Sequence, residues 1–209
     1  EATGDGARLE QAAALGEAAI AHFADADGSM FHTADDAADV PVGRPRNAAD
    51  NATPSGTGLI ATLLARLYHL TGAPVWRSRA DAVLRAFGGA GSALGAMPTL
   101  LAAADLLEDA ITVVIAGDPH DPANRALLHA ARVAPDPAIC ILHARDPANL
   151  PAQHPAHGKA TGAAAAFVCR AGACSLPVGS PEALRPLLRR VPPRDARRPI
   201  SAPSPGSQP

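Results

Sequence analysis

The chain has 209 residues, of which 47% are hydrophobic and 3% aromatic, and its formal net charge is −2. This length is enough for one large domain or two small ones. The charge provides no basic field for nucleic acid, and no apolar run approaches the roughly 18 residues of a membrane span. We therefore expect neither a nucleic-acid nor a membrane partner. Three cysteines, an odd number, indicate a reducing cytoplasm rather than a secreted disulfide framework.

The first half of the chain has the apolar spacing of helices. Thr53 is the predicted N-cap of the second helix and Pro54 its first residue. The stretch over 29–52 lacks helical spacing and is expected to be a loop. The predicted helices lie over 8–23, from Pro54 to about 71 with Leu59 on the apolar face, from Pro74 to Phe87 with Val75 buried, and around 100–107.

Near residue 109 the pattern changes from helical spacing to short apolar runs, of which 111–117 is typical of a buried strand. The further predicted elements are a helix over 123–132, strands over 138–143 and 164–169, a hairpin partner over 174–178, and a last helix capped by Ser180. Pro, Arg and Ser dominate from residue 191, which predicts a disordered tail. The expected fold class is α plus α/β, with a helical segment over 1–109, a small α/β domain over 110–190 and the tail over 191–209.

A polar segment at the start of the second helix is the main candidate for a binding site. A helix N-terminus has free N–H groups and positive partial charge, so it can hold an anion or a polyhydroxylated ligand. The alternative is an elaborate N-cap with an anchored loop. We nominate Asp50 as catalytic, because acid–base chemistry on sugars uses carboxylates. The candidate ligand-binding residues are Arg44, Asn51, Thr53 and Ser55.

Several stretches of the sequence resemble one known family. They are FHTADD (31–36), Arg44-Pro45, DNATPSG (50–56), and a C-terminal set over 113–118, 166–170, 173–174, 177 and 181–184. Together they resemble the thioredoxin-domain-containing proteins related to spermatogenesis-associated protein 20 and bacterial YyaL, over roughly residues 8–190. The DNATPSG run and the cysteine pair in its hairpin context are the more specific matches.

The resemblance implies that the chain is the C-terminal part of a larger protein. Full-length members carry a thioredoxin-like domain and then an (α/α)6 toroid similar to N-acylglucosamine 2-epimerases. This chain would supply the last helical hairpins of the toroid and the small α/β domain, with the missing portions as its partners. The DNATPSG loop would lie at the toroid mouth, so a sugar or sugar phosphate is the expected ligand. No cofactor is expected, and the remaining catalytic groups would lie outside this chain.

Cys169 and Cys174 would face each other across a hairpin whose turn is Ala171-Gly172, within reach of a disulfide. They could be a redox pair or two small buried side chains in a reducing cell. No metal site is expected, because a structural zinc site needs four ligands. His154 and His157 lack a third ligand on a rigid element, and both are expected to be solvated.

Three functions remain open from the sequence. The first is a toroid fragment without catalysis of its own, whose parent protein is linked to carbohydrates. The second is a redox-associated accessory domain that uses Cys169 and Cys174. The third is a non-catalytic interaction module, since a truncated toroid would leave an apolar face uncovered.

Overall fold

The computed structural model describes residue 1 and residues 5–36, 43–159 and 163–190. These residues form six α-helices, two 3-10 segments and a four-stranded mixed sheet. The expected combination of helices with a small α/β part is therefore confirmed, while the predicted tail over 191–209 lies outside the described residues. Within the described ranges, every helix is too short or too polar to cross a membrane.

The N-terminal part is built around one central helix, α2 (Gly56–Thr71), which packs against the three other helices of this part. Its buried residues include Ala61, Leu64 and Ala65, whose small and branched side chains form one stripe. The other helices are α1 (Gly6–Phe23), α3 (Pro74–Phe87) and α4 (Pro98–Asp109), with a 3-10 segment at Gly88–Ala96.

The start of α2 differs from the prediction. Ser55, and not Thr53, is the N-cap, because its side chain accepts a hydrogen bond from the N–H of Gly58 at 3.1 Å. Just before it, Asn51 donates its backbone N–H to the carbonyl of Thr53. This turn places Thr53 and Pro54 ahead of the helix, which begins at Gly56.

Two apolar residues predicted to face the core are exposed. Val75 is 45% exposed and Leu59 is 52% exposed. The buried residues of α3 are Trp76, Ala80 and Val83, spaced i, i+4 and i+7, and Val75 lies outside this stripe. An apolar residue near the edge of a helical stripe is easily assigned to the wrong side from sequence alone.

The C-terminal part is a β-α-β unit followed by a hairpin and a short helix. The strands are β1 (Ile111–Ala116), β2 (Ile139–Ala144), β3 (Ala165–Arg170) and β4 (Ala173–Cys174). In the sheet their order is β2-β1-β3-β4, with β1 parallel to β2 and antiparallel to β3. The last helix is capped by Ser180, as predicted. The remaining elements are α5 (Pro122–Arg132), a 3-10 turn (Pro147–Asn149) and α6 (Pro181–Leu187).

The two faces of the sheet pack against different layers. Ile111, Val113 and Ile115 pack with residues of α5 and α6. On the opposite face, Cys140 of β2 joins the apolar core of α2 and α4. The helical part and the sheet therefore share a core, although the chain changes from helix to strand at Ala110.

Candidate functional site

Asp50 connects the loop before α2 with the starts of α2 and α4 through hydrogen bonds. Its Oδ1 accepts a hydrogen bond from the backbone N–H of Ser55 at 2.8 Å. Its Oδ2 accepts from the backbone N–H of Thr99 at 2.7 Å and from the Thr99 hydroxyl at 2.6 Å. Thr99 lies in the first turn of α4, whose N-cap residue Met97 makes no capping bond with its own side chain. Asp50 thus caps α4 from a distant part of the chain.

These hydrogen bonds set the charge of Asp50. The hydroxyl of Thr99 and the backbone N–H of Ser55 lower the pKa of the carboxyl from 3.8 to about 2. The carboxylate is ionised, and both of its oxygens accept hydrogen bonds. This suits an anchor for the loop. The nomination of Asp50 as catalytic stays a prediction, and this geometry adds no support to it.

The other four predicted residues are spread around the loop. Ser55 is buried, and its hydroxyl oxygen accepts the hydrogen bond that caps α2. Asn51 and Thr53 are exposed in the preceding turn. Arg44 stacks on the ring of Phe31, 4.0 Å from its centroid, and donates to backbone carbonyls at the end of α1 and in the following loop. The structure brings Asp50 into contact with Ser55 and Asn51 into contact with Thr53.

A second polar site lies between the helical part and the β3–β4 hairpin. It is a cavity of about 220 Å³, here called the junction cavity. Its wall combines residues from three helices, a loop and the hairpin, including Tyr68, Arg77, Glu108, His154, Cys169 and Arg170.

The helical side of the junction cavity is fixed by hydrogen bonds to the end of α4. The last carbonyls of a helix have no partner within it, and here His69 and Arg77 supply donors. The Nε2 of His69 donates to the carbonyl of Leu106 at 2.9 Å, and Arg77 donates to that of Leu107 at 3.2 Å. Arg77 also bonds Glu108 at 2.7 Å. Nε2 must carry a proton to donate, and burial lowers the pKa of the His69 ring.

His154 is only 2% exposed, so the prediction that it is solvated was wrong. Its loop packs closely on the end of α2: a Cβ added to Gly72 would lie 2.7 Å from the Cα of His154. The Nδ1 of His154 accepts a hydrogen bond from the N–H of Ala156 at 3.1 Å, which leaves the proton on Nε2. Among the described residues, that Nε2 has no hydrogen-bond partner. His157 is exposed, as predicted.

The hairpin side of the cavity carries a disulfide. Cys169 and Cys174 are directly opposed in the β3–β4 register, as predicted, and they are bonded to each other. Ala171 and Gly172 have φ values of 46° and 79°, the pattern of a type I′ turn. The structure thus has the two cysteines oxidised, and their role as a redox pair stays a prediction. Cys140 is free and buried, and burial raises the pKa of its thiol to about 12.

One further group of metal-type ligands is present at the end of α1 in the described part of the chain. His22, Asp35 and Asp36 have ligand atoms within 4.8 Å of one another, and all three residues are exposed. The Nδ1 of His22 lies 2.9 Å from Asp35, and this hydrogen bond raises the pKa of the imidazole. The group is thus already paired as a surface His–Asp contact.

Sequence reasoning missed most of the junction cavity. Tyr68, Arg77, Glu108 and His154 belong to separate elements, and no local pattern groups them. Among the described residues that line it, Cys169 alone had a local signal, because its spacing from Cys174 fits a two-residue hairpin turn. No protein-family model matches the chain, and no curated protein matches its sequence.

Proposed function

We propose that the chain is a ligand-binding part of a larger, carbohydrate-linked protein and that it catalyses no reaction on sugars by itself. The observation that carries this proposal is the junction cavity, where Arg77, Glu108 and Tyr68 lie together around about 220 Å³. A polyhydroxylated ligand needs donors, acceptors and an apolar surface, and these three side chains provide all of them. The cavity therefore suits a single sugar unit better than a large substrate.

The charges around the cavity are nearly balanced. The Arg77 guanidinium pairs with the Glu108 carboxylate at 2.7 Å, while the Arg170 guanidinium donates to the carbonyls of Leu187 and Arg189, near α6. Arginine also matches the geometry of phosphate oxygens, so sugar phosphates belong among the ligands to be tested. Glu108 is bonded to Arg77 and is the one carboxylate among the described residues that line the cavity. Glycoside hydrolysis uses two carboxylates across the scissile bond, so the cavity supports binding rather than hydrolysis.

The resemblance to the thioredoxin-domain-containing family adds the proposed context. In that context the missing thioredoxin-like and toroid portions are the partners of this chain, and the protein is cytoplasmic. A groove between α2 and α4 supports such partners, since Leu59, Ala102 and Leu106 line it and Leu59 is largely exposed. Exposed apolar surface of this kind is typical of interaction sites. If the isolated chain binds no apolar dye and remains monomeric, the proposed partners lose this support.

The binding proposal is tested by thermal melts of the chain with a panel of simple sugars and sugar phosphates. A ligand at 100 times its dissociation constant stabilises the folded state by about 2.7 kcal/mol, so the melting temperature should rise for at least one member. The rise in melting temperature should disappear in Arg77→Gln, which removes the guanidinium group from the cavity. Arg85→Gln is the matched control, because Arg85 lies on the same helix and pairs with Asp81 on the surface.

Two results would contradict the proposal. The first is a panel in which no ligand shifts the melting temperature of the wild-type chain. The second is a shift that Arg77→Gln and Arg85→Gln leave equally intact, since the ligand would then bind outside the junction cavity.

A further inference from the structure

The β3–β4 hairpin forms one wall of the junction cavity, and its turn belongs to that wall. Cys169, Arg170, Ala171 and Gly172 all line the cavity. The disulfide joins Cys169 to Cys174, which lies on β4 at the edge of the sheet. Whatever holds the hairpin closed therefore also holds this wall of the cavity in place.

The disulfide joins β3 to the short strand β4 at a non-hydrogen-bonded pair. β4 has two residues, and its register places Cys174 opposite Cys169. The next residue, Ser175, donates its backbone N–H to the carbonyl of Val168 at 2.8 Å. Since hydrogen-bonded and non-hydrogen-bonded pairs alternate along an antiparallel ladder, the cysteines occupy a non-hydrogen-bonded position. The S–S bond is thus the direct link between the two strands at this position.

The turn of the hairpin is strained at Ala171. Its φ is 46°, in the left-handed region that alanine adopts rarely because of its Cβ. A type I′ turn needs positive φ at both central residues, and asparagine followed by glycine is a preferred pair. Gly172 adopts its φ of 79° freely, whereas Ala171 does not. The turn therefore costs free energy, and the disulfide that closes a ring around it opposes its relaxation.

We propose that reduction of the Cys169–Cys174 disulfide releases the hairpin turn and displaces this wall of the junction cavity. After reduction, the two-residue strand β4 and the strained turn lose the covalent link that holds them against β3, and so short a strand pairing is marginal by itself. The disulfide thus regulates access to the cavity according to its redox state. The release of the hairpin does not require that a sugar binds in the cavity.

The reductant is a dithiol that reaches the bond from outside the cavity. Cys174 is partly exposed and lines a groove beside Ser175 and Pro186, whereas Cys169 is 3% exposed. The rate of disulfide exchange depends on access to the attacked sulfur. The Sγ of Cys174 is therefore the atom that the dithiol attacks.

The reduction takes two displacements at sulfur. One thiolate of the dithiol attacks the Sγ of Cys174 and forms an S–S bond with it, while Cys169 leaves with the electron pair and takes a proton from water. The second thiolate of the dithiol attacks the dithiol sulfur of this mixed disulfide, and Cys174 leaves and takes a proton in the same way. The dithiol loses two electrons and becomes a cyclic disulfide, and the two cysteines become thiols.

Hydrogen exchange before and after reduction with dithiothreitol tests the release of the hairpin. We expect the amide of Ser175 to exchange at least tenfold faster in the reduced chain, because its bond to Val168 depends on the closed hairpin. This increase should exceed that of the β1 amides, in the centre of the sheet, by at least fivefold. Cys174→Ser, which cannot form the bond, should show the same increase without a reductant. An unchanged Ser175 amide, or equal increases at Ser175 and β1, would overturn the inference.

A variant of the turn separates the strain at Ala171 from the loss of the bond. Ala171→Asn gives the turn a pair that type I′ turns prefer, so the reduced variant should keep the hairpin closed. Its increase at Ser175 should be at most a third of the wild-type increase. Ala148→Asn makes the same change at an exposed residue of the 3-10 turn and should behave as wild type. Equal increases in both variants would contradict the role of the strained turn.

The effect on the cavity is measured with a sugar or sugar phosphate that raises the melting temperature, and this arm alone rests on the proposed function. Its dissociation constant should rise at least fivefold when the wild type is reduced, and less in Ala171→Asn. Equal affinity in both redox states would overturn the regulation of the cavity. A panel in which nothing binds would remove only the carbohydrate proposal, because hydrogen exchange still decides whether reduction releases the hairpin.

Discussion

Asp50 contributes to stability as an ionised acceptor of three hydrogen bonds, from Ser55 and Thr99. Asp50→Asn replaces one of its oxygens with an amide nitrogen, which would face a backbone N–H as donor against donor. We therefore expect Asp50→Asn to lower the melting temperature at pH 7. Urea unfolding of both proteins measures the difference in free energy of unfolding.

The lowered pKa of Asp50 predicts how the stability difference between wild type and Asp50→Asn changes with pH. The pKa of Asp50 is about 2 in the folded chain and 3.8 as the ordinary value, so its contribution is complete above about pH 4. It is lost as the pH falls towards 2, because the unfolded chain binds the proton first. The gap in stability between wild type and Asp50→Asn should close over this window. Asn51→Ala, at the exposed neighbouring residue, serves as the control and should show no such window. A gap that is absent at pH 7 would contradict the anchoring role.

The sequence located Asp50 and Ser55 correctly at a helix start because polar residues before an apolar stripe are a local signal. Their main partner could not be predicted. Thr99 is 49 residues from Asp50 along the chain, and only the packing of α2 against α4 brings it near. His154 shows the same limit: nothing in its Pro-containing neighbourhood indicates that the loop packs against Gly72.

The close approach of α2 and α4 depends on a glycine in the first turn of α2. A Cβ at Gly58 would lie 2.9 Å from the side chain of Thr99 and 3.0 Å from the Ser55 hydroxyl. Gly58→Ala should therefore cost about 1–3 kcal/mol, as overpacking usually does. Gly56→Ala is the matched control in the same turn, since no atom lies within 4 Å of its added Cβ. Alanine favours the helix, so this variant should be as stable as wild type or slightly more stable. Chemical unfolding of both variants checks the difference, and equal stability of the two would contradict the steric argument.

The elements themselves could largely be predicted from the sequence. Helical spacing and the apolar run over 111–117 depend on local periodicity, and the observed helices and strands follow them. The N-cap of α2 could not be predicted, because Thr53, Pro54 and Ser55 offer competing starts. The turn between Asn51 and Thr53 places Thr53 and Pro54 ahead of the helix, so Ser55 is the N-cap.

For the molecule as a whole, the local patterns describe two parts, whereas the packing joins them. Cys140 belongs to the sheet by sequence but lies in the core of the helices. The junction cavity arises at this contact, which explains why no motif indicates it. The pairing of Cys169 with Cys174 was predictable because it depends on a two-residue turn, but its position on the cavity wall depends on the whole fold.

Arg190 links the two parts by charge and supplies a test of their coupling. It donates to Asp105 of α4 at 2.6 Å and to Asp136, in the loop before β2, at 3.0 Å. Its side chain is only 21% exposed, so these bonds are partly shielded from water. Arg190→Gln should lower the free energy of unfolding by about 1–2 kcal/mol.

The matched control is Arg185→Gln, because the Arg185–Glu182 pair on α6 is exposed, and its loss should change stability by less than about 0.5 kcal/mol. Trp76 is buried in the helical part, so its fluorescence reports on that part, while hydrogen exchange of β1 reports on the sheet. If the shared core makes the helical part and the sheet unfold together, Arg190→Gln lowers the free energy of unfolding by the same amount in both measurements. A shift confined to the β1 amides would show that the sheet unfolds independently of the helices, and the cavity between them would then open without loss of the helical core.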